Sequence, residues 1–332
     1  MKRLSIIGGG SWGTALAIVL SRRFDEIRLW VYEPDLALRM LASRRNDVYL
    51  PDLVIPGNIL ITSELSVAIE DAPMILSVVP SHLVRTIYQR MLLTLDPGML
   101  FVTATKGLEN GSLLRMSEVI RDVVRARFEP RVAVISGPSF AREVARGDPT
   151  AIVVASDDNA LAGQVQEGFS GPTLRLYTSN DPISVEIGGS IKNVVAIGSG
   201  VLAGLELGHN ATAALITRGL AEMTRLAVAL GGRPMTMAGL AGLGDLVLTC
   251  TGDLSRNRRV GLELAQGRNL DEIVNSMKMV AEGIKTTNAA VDLARRLSVE
   301  MPIAEQMFQM LHFGVSPREA IRSLMERSLK GE

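Results

Sequence analysis

Lys106, Lys192, Asp245 and Arg256 are the residues of this chain whose settings could support chemistry on an anionic ligand. Lys192 lies in Gly188-Gly189-Ser190-Ile191-Lys192-Asn193, among small and apolar neighbours. An ammonium deprived of water there loses stabilisation of its charged form, so its pKa falls toward the range useful for acid–base work. The same surroundings also suit a lysine whose stem packs while its amine reaches solvent. Asp245 ends the run Gly239-Leu240-Ala241-Gly242-Leu243-Gly244, which reads as a loop moulded around a ligand. Leu254-Ser255-Arg256-Asn257-Arg258-Arg259 concentrates donors: a guanidinium binds phosphate in bidentate fashion, and Ser255 and Asn257 add neutral donors. A basic first turn of a surface helix gives the same composition.

The elements that must position these groups fall into two sets. Residues 4–7, 27–32, 74–79, 100–103, 132–136 and 151–155 are mostly continuous apolar runs, as parallel strands covered on both faces require. Helix-like stretches such as 14–23 and 113–127 separate them, so the first half is expected to be a Rossmann-type, doubly wound and mainly parallel α/β sheet. From Pro182 onward no clear strand run follows, and 3.6-residue periods recur over 183–205, 213–230, 258–266, 286–297, 303–311 and 317–329. Gly231-Gly232 and Gly267 stand where helix C-termini are expected. The division is therefore 1–180, a nucleotide-binding α/β domain, and 181–332, an all-α domain for the substrate. Lys106 and Ser136-Gly137-Pro138-Ser139-Phe140 then follow strands at their carboxyl ends, where open sheets bind ligands.

Gly8-Gly9-Gly10-Ser11-Trp12-Gly13 fits G-x-G-x-x-G in the strand–turn–helix setting that makes this pattern specific for a dinucleotide. Gly8 permits the turn, Gly10 admits the pyrophosphate, Gly13 lets helix and strand approach, and the amides of Ser11 and Trp12 face the anion. Ser77-Val78-Val79-Pro80-Ser81 could wall the nicotinamide ring. NAD and NADP both remain open. Glu33, 20 residues after Gly13, is placed to bind ribose hydroxyls, yet Pro34 can turn it away. Arg39 and Arg44-Arg45 can meet a 2′-phosphate or simply form a solvated face.

Composition narrows the classes. With 35 Lys plus Arg against 35 Asp plus Glu, no general field draws the chain to nucleic acid or to acidic lipid. The single Cys250 excludes an internal disulfide framework and suits a reducing compartment. Lys2-Arg3 ahead of apolar residues, with Ala15-Leu16-Ala17, has the outline of a signal peptide, but Gly8 to Gly10 break the apolar run after four residues and favour strand and turn. No uncharged apolar run approaches the roughly 18 residues of a membrane span. His82, His209 and His312 are far apart and lack metal-ligand spacing, so no metal is expected.

Taken together, residues 8–14, Ala104-Thr105-Lys106-Gly107, Ser136 to Phe140, Ile191-Lys192-Asn193, residues 241–249, Arg256-Asn257 and Ala281-Glu282-Gly283 resemble, in content and order, the bacterial-type NAD(P)-dependent glycerol-3-phosphate dehydrogenases. The resemblance covers nearly the whole chain. It implies interconversion of dihydroxyacetone phosphate and sn-glycerol 3-phosphate for phospholipid synthesis, in a cytoplasmic homodimer. It also implies that Lys192 is the acid–base residue, and that Lys106, Gly137, Ser139, Lys192, Asp245, Ser255, Arg256 and Asn257 contact the phosphorylated substrate. Gly8, Gly10, Ser11, Trp12, Gly13, Tyr32, Lys106, Ala141, Arg256, Val280 and Glu282 would line the cofactor. An acyclic β-hydroxyacid dehydrogenase shares this architecture but needs a carboxylate clamp. A nicotinamide-binding protein without turnover would leave the two lysines without a task.

Overall fold

The computed structural model describes residues 2–277, 279, 281–329 and 331. Ten strands form in the first half: β1 (Arg3–Ile7), β2 (Glu26–Trp30), β3 (Arg45–Asn46), β4 (Leu50–Val54), β5 (Ile59–Thr62), β6 (Met74–Ser77), β7 (Leu100–Thr103), β8 (Arg131–Ser136), β9 (Thr150–Ala155) and β10 (Leu174–Ser179). Among them run α1 (Ser11–Leu20), α2 (Pro34–Ser43), α3 (Leu65–Ile69), α4 (Val84–Met91), α5 (Met116–Val124), α6 (Ala141–Arg146) and α7 (Asn159–Phe169). Eight strands make one sheet in the order β10-β9-β8-β7-β6-β1-β2-β5, and β3 and β4 form a separate antiparallel hairpin. Every pairing in the large sheet is parallel except β8 with β9. The chain builds outward from β1 in both directions, so the carboxyl ends of β1 and β6 border the crevice where such sheets bind ligands.

Continuous apolar runs are needed because both sheet faces are covered. On one face Leu4 and Ile6 pack with Leu16 and Leu20 of α1, Met40 of α2 and Phe169 of α7. On the other Ile7 and Phe101 pack with Ile69 of α3, Tyr88 of α4 and Ile120 of α5.

The second half is helical: α8 (Pro182–Gly204), α9 (His209–Ala229), α10 (Pro234–Met237), α11 (Asp245–Thr251), α12 (Arg256–Ala265), α13 (Leu270–Ser276), α14 (Glu282–Arg296), α15 (Pro302–Phe313) and α16 (Pro317–Met325). Gly231 and Gly267 follow helix ends with φ of +92° and +86°, the left-handed backbone expected of glycine there. The centre is α8, whose residues from Pro182 to Leu202 are nearly all buried. By length and composition it is the one unbroken helix, among the described residues, apolar enough to cross a membrane, and 89% of its apolar window is buried inside the protein.

Glycines decide how closely α12 approaches α8. A Cβ at Gly200 would stand 1.8 Å from the Arg258 carbonyl oxygen, and one at Gly261 would stand 1.8 Å from that of Ile197. The two backbones therefore touch, which brings the start of α12, with Arg256 and Asn257, beside Lys192 and Asn193. The glycine run before Asp245 serves the same end. It forms a π turn, Leu240–Gly244, where a Cβ at Gly188 would meet the Ala241 carbonyl oxygen at 2.4 Å and one at Gly242 that of Met237 at 2.0 Å. The run expected as a loop is thus a π turn, and Gly242 in it is pressed against neighbouring backbone.

Candidate active site

A cleft of about 600 Å³ separates the sheet's carboxyl edge from the helical half, lined by the glycine loop, Lys106, Ser139, Lys192, Ser255, Arg256 and Glu282, among others. The loop fits a dinucleotide on its own geometry. Gly8 has φ of +124°, a Cβ at Gly13 would fall 1.8 Å from the Gly8 carbonyl oxygen, and one at Gly10 would meet nothing within 4 Å. Two glycines hold the turn closed while the third keeps it open to a ligand. Gly10 also caps α1 without any side-chain acceptor, leaving the amides of the first turn to an anion.

At the other end lies a three-residue ionic cluster. Asp245, the first residue of α11, is wholly buried. Its Oδ2 accepts from Lys106 Nζ at 2.7 Å and its Oδ1 accepts from Lys192 Nζ. Lys106 also donates to the Gly137 carbonyl at 3.1 Å, as does the Ser139 hydroxyl at 2.9 Å. Lys192 donates as well to Thr249 Oγ1 at 2.8 Å. The Thr249 hydroxyl gives its own proton to the Asp245 carbonyl at 2.6 Å, so toward Lys192 it can only accept. Burial pulls the Lys192 pKa well below the ordinary lysine value, Asp245 opposes it, and Lys106 adds to the lowering.

Arg256, first residue of α12, behaves differently. Among the described residues it is the one cation of the cleft wall with neither ion pair nor side-chain hydrogen bond; Lys106, Lys192 and Arg142 are all paired. Burial lowers its pKa and Glu282 raises it. Glu282 opens α14 and accepts from Ser81, at 3.2 Å from the amide and 2.7 Å from the hydroxyl, tying the loop after β6 to the helical half. Burial raises the Glu282 pKa against those two hydrogen bonds and Arg256.

Most residues expected at the site line the cleft: Gly8, Gly10, Ser11, Trp12, Tyr32, Lys106, Ser139, Ala141, Lys192, Ser255, Arg256, Asn257 and Glu282. Gly13, Gly137 and Asp245 are not in its wall; they stand behind it and hold the residues that are. Asn257 is half committed: its Nδ2 donates to Asn193 Oδ1 at 3.0 Å and its Oδ1 accepts from the Gly283 amide at 2.9 Å. Ser255 caps α12 by accepting from the Arg258 amide, which leaves its proton for a ligand. Val280 lies outside the described residues; Met279 beside it lines the cleft. Tyr49 also lines it and was not singled out from sequence; Asn193 and Thr249 line it too and stood there only within longer motifs. Thr249 had a signal in its spacing, four residues after Asp245 on one helix face. Among the described residues no group of three or more His, Cys, Asp and Glu side chains could hold a metal ion.

A glycine-loop Rossmann sheet facing a lysine–aspartate cluster on a helical partner defines a two-domain nicotinamide-dependent dehydrogenase. Profiles for the N-terminus and C-terminus of NAD-dependent glycerol-3-phosphate dehydrogenase match residues 3–162 and 181–322. The chain belongs to that family, and is an oxidoreductase using NAD(P). It is 56% identical over 98% of both chains to glycerol-3-phosphate dehydrogenase [NAD(P)+] of Koribacter versatilis. With the enzyme of the same name from Acidobacterium capsulatum it shares 51% identity, over the full length of both. The crystal structure of glycerol-3-phosphate dehydrogenase from Coxiella burnetii superposes with a TM-score of 0.94 at 42% identity, covering 98% of this chain and 99% of that one.

Proposed function

We propose that the chain interconverts dihydroxyacetone phosphate and sn-glycerol 3-phosphate with Lys192 as acid–base residue and Arg256 as phosphate anchor. The observation that carries this reading is the contrast between a paired ammonium cluster and an unpaired guanidinium in one cleft wall. Arg256 is free to take a phosphate in bidentate fashion, with the Ser255 hydroxyl beside it. Anchoring that remote group spends binding energy on orienting the reacting carbon. Two of the three Nζ positions of Lys192 are held by Asp245 and Thr249, leaving the third for the substrate oxygen. A nicotinamide held in this cleft would supply or accept the hydride. As negative charge grows on the carbonyl oxygen, Lys192 stabilises it and passes its proton there. In the oxidative direction Lys192 Nζ takes the carbinol proton, which its depressed pKa favours. Asp245 holds both amines and is a positioning residue. Asn257 fixes the Asn193 amide.

In this reading residues 1–180 hold the cofactor and 181–332 the substrate, the enzyme works as a cytoplasmic homodimer, and its product feeds glycerophospholipid synthesis. Arg256→Ala tests the anchor. The KM for dihydroxyacetone phosphate should rise about 30-fold or more, the usual loss for a buried charged hydrogen bond, while glycerol oxidation, which offers no phosphate, stays as weak as before. An unchanged KM would remove Arg256 from phosphate binding.

A further inference from the structure

We infer that Glu33 makes this chain select NADH over NADPH. The inference rests on the proposed placement of the dinucleotide in the cleft. Glu33 follows β2 by three residues, caps α2, and lines the cleft beyond the glycine loop. That is where the acid of a dinucleotide fold meets the ribose hydroxyls. Pro34 does not turn it away. Its Oε1 accepts from the Tyr49 hydroxyl at 3.1 Å, and Tyr49 lines the same wall, so the carboxylate is held toward the cleft by a residue from the β3–β4 hairpin.

The arginines that could have met a 2′-phosphate are elsewhere. Arg39 pairs with Asp47 at 2.9 Å. Arg44 turns its guanidinium onto carbonyl oxygens, of Ile55 at 3.2 Å and Ile59 at 3.0 Å among others. Arg45 donates to the Pro51 carbonyl at 3.2 Å. None of the three is in the cleft wall. The cations that are in it lie elsewhere or are engaged: Lys106 and Lys192 share Asp245, Arg256 lies on the helical half, and Arg142 pairs with Asp52 at 2.5 Å. A 2′-phosphate would therefore add its charge beside this carboxylate and acids such as Asp52, with no unpaired cation on that side among the described residues. Two ribose hydroxyls would instead donate to Glu33. Specificity arises here from a repulsive element as much as from an attractive one.

Binding can be read without turnover, because both tryptophans of the chain, Trp12 and Trp30, line this cleft. Quenching of their fluorescence on titration with NADH and with NADPH should give a Kd for NADH at least about tenfold lower. Glu33→Gln should tighten NADPH several-fold while changing NADH less. Competition by 5′-AMP against adenosine 2′,5′-bisphosphate should repeat the order, which confines the effect to the ribose. Equal affinities, or tighter NADPH, overturn the assignment to Glu33 while the cofactor cleft stands. Quenching by neither dinucleotide overturns the cleft itself.

Discussion

Two of the carboxylates that join the halves of this molecule, Glu186 and Asp245, differ in what holds them. Glu186 on α8 accepts from the Ser117 amide at 2.8 Å, the Ser117 hydroxyl at 2.7 Å and Arg115 at 2.6 Å, all from the start of α5. Asp245 reaches across to Lys106 in the loop after β7 and also takes Lys192. Both are buried, and both cross between the sheet and the helices. A guanidinium does not give up its proton in water, and a backbone amide never does, so the Glu186 cluster can only hold. An ammonium short of water can exchange a proton, and the Asp245 cluster borders the cleft where a substrate would receive it. A third carboxylate extends the comparison. Glu222 on α9 caps α15 through the amides of Ile303 at 2.7 Å and Ala304 at 3.2 Å. No ion pair to it is found among the described residues. Burial pushes its pKa up to about 7 against those hydrogen bonds. The partner's chemistry, more than burial, separates a clamp from a proton carrier.

The largest effect that can break this comparison is on turnover. Lys192→Ala should lower kcat by about 10²–10⁴-fold, the usual contribution of a positioned proton donor, with the Kd for NADH changed only a few-fold. Turnover near that of the parent would place both clusters in one structural class. Glu186→Gln should act on stability instead. Arg115 would keep Glu118 at 2.8 Å but lose its buried partner, which should cost about 1–3 kcal/mol in chemical denaturation, with kcat of the folded fraction within about threefold of the parent. A kcat loss as deep as that of Lys192→Ala, at unchanged stability, would put Glu186 in the catalytic machinery.

Glu222 gives the smallest effect and sharpens the scale. Its folded pKa lies above the ordinary 4.5, so the protonated form is favoured by folding. Its contribution is fully present below about 4.5 and lost as pH rises through about 7. Denaturation midpoints of Glu222→Gln should therefore fall less than those of the parent across that window. Parallel curves would mean that the two amides keep Glu222 ionised throughout.

Features written in adjacent residues are legible in the sequence. The glycine loop, the strand that precedes it, the buried α8 and the glycine-ended helices α9 and α12 follow from short-range pattern, because turn geometry and side-chain period are set by neighbours in the chain. The order of the motifs carries the family. Some strands escape: β10, though six residues long, alternates between buried and exposed residues, and β3, with two residues, is too short to show a period. The reversed direction of β9 depends on how the chain returns to the sheet, which apolar runs do not encode.

The sequence by itself determined which groups are available: two lysines, an aspartate, an arginine with its capping serine, a glycine loop and an acid 20 residues beyond it. Tertiary structure alone decided their employment. Asp245 stands behind the lysines because the glycines of α8 let the π turn and α12 press close. Arg39, Arg44 and Arg45 are spent on local partners, and Tyr49 turns Glu33 to the cleft. Residue type sets what a group can do; distance sets which partner takes it, and these distances join positions 6 to 201 residues apart in the chain.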